Sequence, residues 1–183
     1  MKKTDLRVIK TKRRIKEVFT ELLQKKDVDE ISVTELSRIA EINKGTFYLH
    51  YKDIYDLYGE ILQDKINDLM ENITFFHEFF DAPEQFILHF LELRKKMRPI
   101  ENPVFRPNNF LHAHIIPELM TGALRKKLYE ENRIKQTEDN DTRLNYILFS
   151  LFHFLRASDP EKKYPIISVL IVNDIKTAFP ELF

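Results

Sequence analysis

The sequence predicts an all-α chain: an N-terminal three-helix module containing a helix-turn-helix, joined by a fourth helix to a larger C-terminal helical domain. Three observations predict it. Apolar residues recur at i, i+3, i+4 and i+7 along most of the chain, no segment alternates with period two for long enough to form a strand, and the breaks fall at Pro and Asn. The predicted division is residues 1–55 for the N-terminal module and 56–183 for the C-terminal domain.

The first helix is predicted over Asp5 to Lys26, with Ile15, Val18, Phe19 and Leu22 as its buried stripe, bracing the next two helices from behind. The second starts at a capping box, in which Ser32 Oγ accepts the Glu35 N–H and the Glu35 carboxylate reaches back to the Ser32 amide. Val33, Leu36 and Ala40 form its inner face, which leaves Thr34, Ser37, Arg38 and Glu41 outside. Only Glu41-Ile42-Asn43 remains for a turn, and Asn43 suits the N-cap of a third helix. There Phe47 and Tyr51, four apart, point inward and leave Lys44, Thr46, Tyr48, Leu49 and His50 on the surface. Gly45 is one of only three glycines in the chain, and glycine in an exposed helix costs about 1 kcal/mol against alanine. It marks a place where another molecule comes close, with first-turn N–H groups that favour a phosphate. A plain αα-hairpin with an accidental glycine is the bland alternative.

The fourth helix is predicted from Asp53, with Leu57, Ile61, Leu62, Ile66, Leu69 and Met70 on its stripe, long enough to link the two domains as a lever. Between Phe75 and Phe110 lie eight of the fifteen phenylalanines. They either fill a core or line a pocket; the pocket candidates are Phe76, Phe79, Phe80, Phe86, Phe90 and Phe110. Pro99, Pro103, Pro107 and Pro117 break this region, with Arg98 to Asn109 the predicted irregular connection. Two apolar helices close the chain, one carrying Leu144, Ile147, Leu148, Leu151, Phe152 and Leu155, the other Ile166 to Ile175. They suit either burial in the monomer or a self-complementary four-helix dimer interface.

Composition narrows the function. With 43% hydrophobic and 32% charged residues the chain is ordinary for a globular protein, and its lack of cysteine excludes disulfide and thiol chemistry. No run approaches the roughly 18 apolar residues of a membrane span, and the N-terminus lacks signal-peptide form, so a cytoplasmic location and no membrane partner are expected. The net charge of zero hides an asymmetry: residues 1–52 hold 13 Lys and Arg against 8 Asp and Glu, and the remaining 131 hold 16 against 21. Lys2, Lys3, Arg7, Lys10, Lys12, Arg13, Arg14 and Lys16 make the first 16 residues a basic arm able to neutralise phosphates. The six histidines form no metal-binding or catalytic constellation; His112 and His114, two apart on a helix, diverge, and His153 reads as a core histidine. No cofactor, metal or catalytic residue is expected.

From Ser32 to Leu57 the residues resemble the DNA-binding motif of the TetR (tetracycline repressor) family of bacterial transcription regulators. The positions that carry the resemblance are Ser32-Val33, Leu36-Ser37, Ala40-Glu41-Ile42-Asn43, Lys44-Gly45-Thr46-Phe47-Tyr48 and His50-Tyr51. The departures are Ser37 for a small apolar residue, Glu41 for the turn glycine, and Ile54 where a lysine often opens the fourth helix, for which Lys52 stands in. Specific residues support the likeness over Leu6 to Ile66; beyond them it rests on length and helical patterning.

The resemblance implies a near-palindromic operator in double-stranded DNA, bound by a homodimer and released by a small-molecule effector. It implies backbone contacts from Thr46, Tyr48, His50 and Lys52, with Thr34, Lys44 and Leu49 reaching base edges and Gly45 giving close approach. It favours the dimer reading of the last two helices, with Leu144, Leu148, Leu151, Phe152, Leu155, Val169 and Val172 as interface candidates. Repression is the family-level expectation. The rival reading keeps the DNA-binding end but has the C-terminal domain dock a protein partner in place of a small molecule.

Overall fold

Every regular element described in the computed structural model is a helix. The structure describes residues 6–96, 104, 110–155 and 159–183, apart from the side chains of residues 96 and 110–114. The α-helices are α1 (Leu6–Leu23), α2 (Val33–Ile39), α3 (Lys44–Tyr48), α4 (Ile54–Glu71), α5 (Glu78–Asp81), α6 (Pro83–Lys96), α7 (Phe110–Glu130), α8 (Glu138–Leu155) and α9 (Pro160–Ala178). Short 3-10 turns lie at Val28–Glu30 and Pro180–Leu182. The all-α class is as the periodicity predicts. Among the described residues, no helix is long and apolar enough to cross a membrane.

The chain divides into two compact units, one of residues 1–65 with 99–108 and the other of 66–98 with 109–183. In the first, α1 buries Ile15, Val18, Phe19 and Leu22, the stripe read from its spacing, and α2 and α3 contribute Leu36, Ala40 and Phe47. Burying the Val, Leu, Ile and Phe side chains among them stabilises by about 1.5–3 kcal/mol each, which holds helices too short to survive alone. Tyr58 of α4 lies 6.2 Å from the Phe19 ring, and its hydroxyl donates to the Val104 carbonyl at 2.7 Å. The rest of the predicted Arg98–Asn109 connection lies outside the described residues.

In the second unit α7 packs on α8, α8 on α9, and α6 on both α8 and α9. Prolines divide by position. Pro83 and Pro160 open their helices, where a missing N–H costs nothing, whereas Pro117 was a predicted break and instead lies inside α7. One lost hydrogen bond in a helix of 21 residues is carried by the buried packing around it.

Candidate nucleic-acid interface

Two caps and a left-handed turn build the surface around α3. Ser32 Oγ accepts the Glu35 N–H at 3.1 Å and starts α2. The other half of the predicted capping box does not form, because the Glu35 carboxylate takes the Lys26 ammonium at 2.6 Å, and an ion pair outcompetes a neutral amide. At its far end α2 closes in a Schellman turn: the Ile42 N–H donates to the Ser37 carbonyl at 3.0 Å and the Glu41 N–H to the Arg38 carbonyl at 3.3 Å. Glu41 occupies the left-handed position with φ 58°, where the family pattern has glycine. A side chain there costs about 1–2 kcal/mol.

Asn43 caps α3 as expected. Its Oδ1 accepts the Gly45 N–H at 2.9 Å, and its carbonyl accepts those of Thr46 and Phe47 at 2.9 and 3.3 Å. These first-turn amides are therefore already engaged, which corrects the expectation that they stand open to a phosphate. The glycine offers space instead. A Cβ at Gly45 would meet nothing nearer than Asn43 Oδ1 at 3.5 Å, so no contact among the described residues demands glycine.

Phe47 is fully buried, with the Tyr51 ring at 5.6 Å and the Tyr48 ring edge-on at 5.5 Å. With α3 anchored on that side, its other faces look outward: Tyr48 is 58% and Leu49 80% exposed. Lys44, Gly45 and Lys52 are exposed as well, Thr46 and His50 are half-buried, and Thr34 is exposed on the first turn of α2. Leu49 stands next to Tyr48 on this surface; a single exposed leucine is ordinary, and it is the adjacency of the two large side chains that marks the face. Lys52 precedes α4, whose start is fixed by Asp53 Oδ1 accepting the Asp56 N–H and Asp56 Oδ2 accepting that of Lys52. Ile54, at the position where the family often has lysine, is buried.

Ser37, read from periodicity as outward, is only 3% exposed, and its hydroxyl has no partner among the described residues. It fills the small apolar position of the family pattern, so the motif located it where helical spacing did not. Two cations of the predicted basic arm are also reassigned. Lys12 pairs with Glu60 of α4 at 2.8 Å, and Lys16 pairs with Glu60 at 2.7 Å and with Asp64. Partial burial pushes the Glu60 carboxyl up, but the hydrogen bonds from Lys12 and Lys16 outweigh it and hold it below its ordinary value. For Lys16, desolvation is likewise outweighed by Asp64 and Glu60, and its pKa is raised. Burial, then the nearby Glu60, pushes the Tyr51 hydroxyl well above the usual tyrosine range.

In the second unit, Phe76, Phe79, Phe80, Phe86 and Phe90 are all buried. Phe79 meets Phe80 at 4.8 Å and Phe86 at 5.2 Å, and Phe86 meets Phe90 at 4.9 Å, so these rings pack mainly on one another. Phe110 opens α7, but its side chain lies outside the described residues, as do those of His112 and His114. Among the described residues no group of three or more His, Asp or Glu could hold a metal.

The interface candidates need correction by residue. Leu144, Leu148, Leu151, Phe152, Leu155 and Val172 are buried inside the monomer, where they pack the core of their own unit, and only Val169 is exposed. The outward faces of α8 and α9 carry Tyr146, Phe149, Ile166, Val169 and Leu170, Ile166 being 68% exposed. Beside them runs an open cleft of about 630 Å³, lined by Tyr146, Phe149, His153, Lys163, Leu170 and Asp174 among others. His153, expected in the core, is exposed on this cleft.

No family model matches the chain. Its relatives include the uncharacterized HTH-type transcriptional regulator YxbF of Bacillus subtilis (strain 168), 28% identical over 100 residues. That alignment covers 55% of this chain and 23% of the relative, so the likeness spans less than a quarter of that protein.

Proposed function

We propose that the chain is a sequence-specific DNA-binding transcriptional regulator of the TetR type. Two copies present α3 to successive major grooves of a near-palindromic operator, about 34 Å apart along the duplex. One observation carries the reading. Beside its single buried anchor, Phe47, α3 exposes Lys44, a glycine that the fold does not need, Tyr48 and a nearly bare Leu49. The likeness to the HTH-type transcriptional regulator of Bacillus subtilis supports the same class. Tyr48, Thr46, His50 and Lys52 supply phosphate contacts that fix register, while Thr34, Lys44 and Leu49 read base edges or the thymine methyl.

The homodimer is proposed through the outward faces of α8 and α9, since five large apolar side chains standing in water on two adjacent helices need a cover. Repression relieved by a small molecule in the C-terminal domain completes the reading, and a coupling of about 1–3 kcal/mol between effector and operator would shift occupancy about 5- to 150-fold. A second reading, in which that domain docks a protein partner, is favoured by the mutual packing of Phe79, Phe80, Phe86 and Phe90.

Selection of bound fragments from a random duplex pool, followed by mobility shifts on single-base variants, tests the core of the proposal. Lys44→Ala is expected to relax preference at one position and Tyr48→Phe to weaken all sequences modestly. A wild-type protein that retains no duplex in a salt-sensitive manner overturns it.

A further inference from the structure

Behind α3, on the side away from its exposed residues, Glu60 of α4 gathers three donors. Its Oε2 accepts Lys12 Nζ at 2.8 Å, its Oε1 pairs with Lys16 Nζ at 2.7 Å, and the same Oε1 lies 3.5 Å from the Tyr51 hydroxyl. Lys12 Nζ also sits 5.1 Å above the Tyr51 ring. Tyr51 is 2% exposed, donates its N–H to the Phe47 carbonyl at 3.0 Å and packs its ring on Phe47. Phe47 is the one buried side chain of α3. A line of contacts therefore runs from the α4 carboxylate through Tyr51 to the only anchor that sets the rotation of α3 about its own axis.

The hydrophobic effect that buries Phe47 is non-directional, so a single apolar anchor sets the roll of so short a helix less firmly than a directional contact. A carboxylate that accepts from two ammonium groups is directional and fixes its neighbours in place. We propose that Glu60 is a positioning residue for DNA recognition: by holding Lys12 and Tyr51 together, it sets the angle at which α3 meets the groove. This rests on the DNA-binding reading above.

Electrostatics and positioning predict opposite outcomes for Glu60→Gln, which keeps the shape of the side chain and removes its charge. Released Lys12, with Lys16 still held by Asp64, would tighten binding to any duplex and steepen its salt dependence. A lost angle instead weakens binding to the preferred sequence alone. The measurement is the ratio of affinities for a duplex selected by the wild type from a random pool and for a scrambled duplex of equal length, alongside thermal denaturation. The ratio is expected to fall about 5- to 20-fold, within the range for coupled sites. Asp64→Asn, which touches Lys16 but not Tyr51, should leave it unchanged. Lys12→Met, which removes the cation over Tyr51 and keeps the carboxylate, should lower it in the same direction and serves if Glu60→Gln fails to fold.

Equal tightening on both duplexes, or a lower melting temperature with the ratio intact in both variants, overturns the positioning role and leaves DNA recognition standing. A wild type that selects no duplex overturns DNA recognition and this inference with it.

Discussion

Gly45→Ala separates what the fold needs from what a partner needs. Gly45 is the second residue of α3, exposed, and its φ is not in the left-handed region. An alanine Cβ would sit 3.5 Å from Asn43 Oδ1, an ordinary contact, so the substitution fits without movement. Alanine restricts the unfolded chain and favours the helix, a gain of about 0.5–1 kcal/mol. At about 2–4 °C per kcal/mol for a chain of this length, the melting temperature should rise by a few degrees. On the proposed interface the same methyl group would stand where a backbone or base comes close, and the loss should match that of a mismatched base pair, about 1–3 kcal/mol or 5- to 150-fold. Thermal denaturation and fluorescence anisotropy on the selected duplex give both numbers from one preparation. A variant that is more stable and binds as well as the wild type refutes close approach at this position. A variant that is less stable refutes the claim that the fold tolerates the side chain.

Relief of the left-handed strain makes Glu41→Gly stabilising by about 0.5–1 kcal/mol, read by urea denaturation; a loss of stability would contradict the Schellman turn. For the proposed dimer, Leu170→Glu should shift sedimentation to the monomer with the helical content kept, and unchanged association rules out that face. By contrast, Leu148→Ala should cost about 2–5 kcal/mol of stability through a core cavity, measured by chemical denaturation. Glu60 has its carboxyl pKa held down, so its contribution is present above 4.5 and is lost as pH falls through the folded value. Lys16 and Tyr51 are raised, so theirs are present below 10.5 and 10.0 and lost as pH rises through the folded values. Melting should therefore be flat near neutrality with an acid limb that Glu60→Gln flattens, by less than about 1 kcal/mol given partial exposure; an unchanged limb rejects the assignment. In salt titrations, Lys52→Ala should reduce the slope of log affinity against log salt by about 1 per contact, while Lys12→Met should leave it alone, because Lys12 already has its counterion in Glu60. Equal effects would mean that the pair opens on DNA.

What was legible in the sequence was burial with one answer. The stripe Ile15, Val18, Phe19 and Leu22 lies opposite the charged face of α1 and turns inward, joined by Leu23. Helices α8 and α9 are apolar on both sides, and spacing alone cannot say which side is the monomer's own. The rows Leu144, Ile147, Leu148, Leu151 and Tyr146, Phe149 are equally periodic; the first faces inward and the second outward. Competition defeated the reading of Glu35, which had both the Ser32 amide and the Lys26 ammonium within reach. Pattern also misplaced Ser37, which only its position in the motif identifies as buried.

The α1–α4 pairs were missed although a signal existed: Lys12 and Lys16 are four apart, as are Glu60 and Asp64, so each pair lies on one helical face and the two faces match. Read that way, zero net charge is no obstacle to binding DNA. What attracts a phosphate is a cation without an acid opposite it, and counting Lys and Arg by region cannot distinguish such a cation from one that is already neutralised. Lys12 and Lys16 are spent within the first unit, whereas Arg38, Lys44 and Lys52 are exposed and have no side-chain acid partner among the described residues. The basic character of the N-terminal module thus divides into cations already paired with carboxylates of α4 and cations left exposed. On the proposed reading Lys12 serves geometry and the exposed cations serve affinity, so substitutions in the two should move different observables.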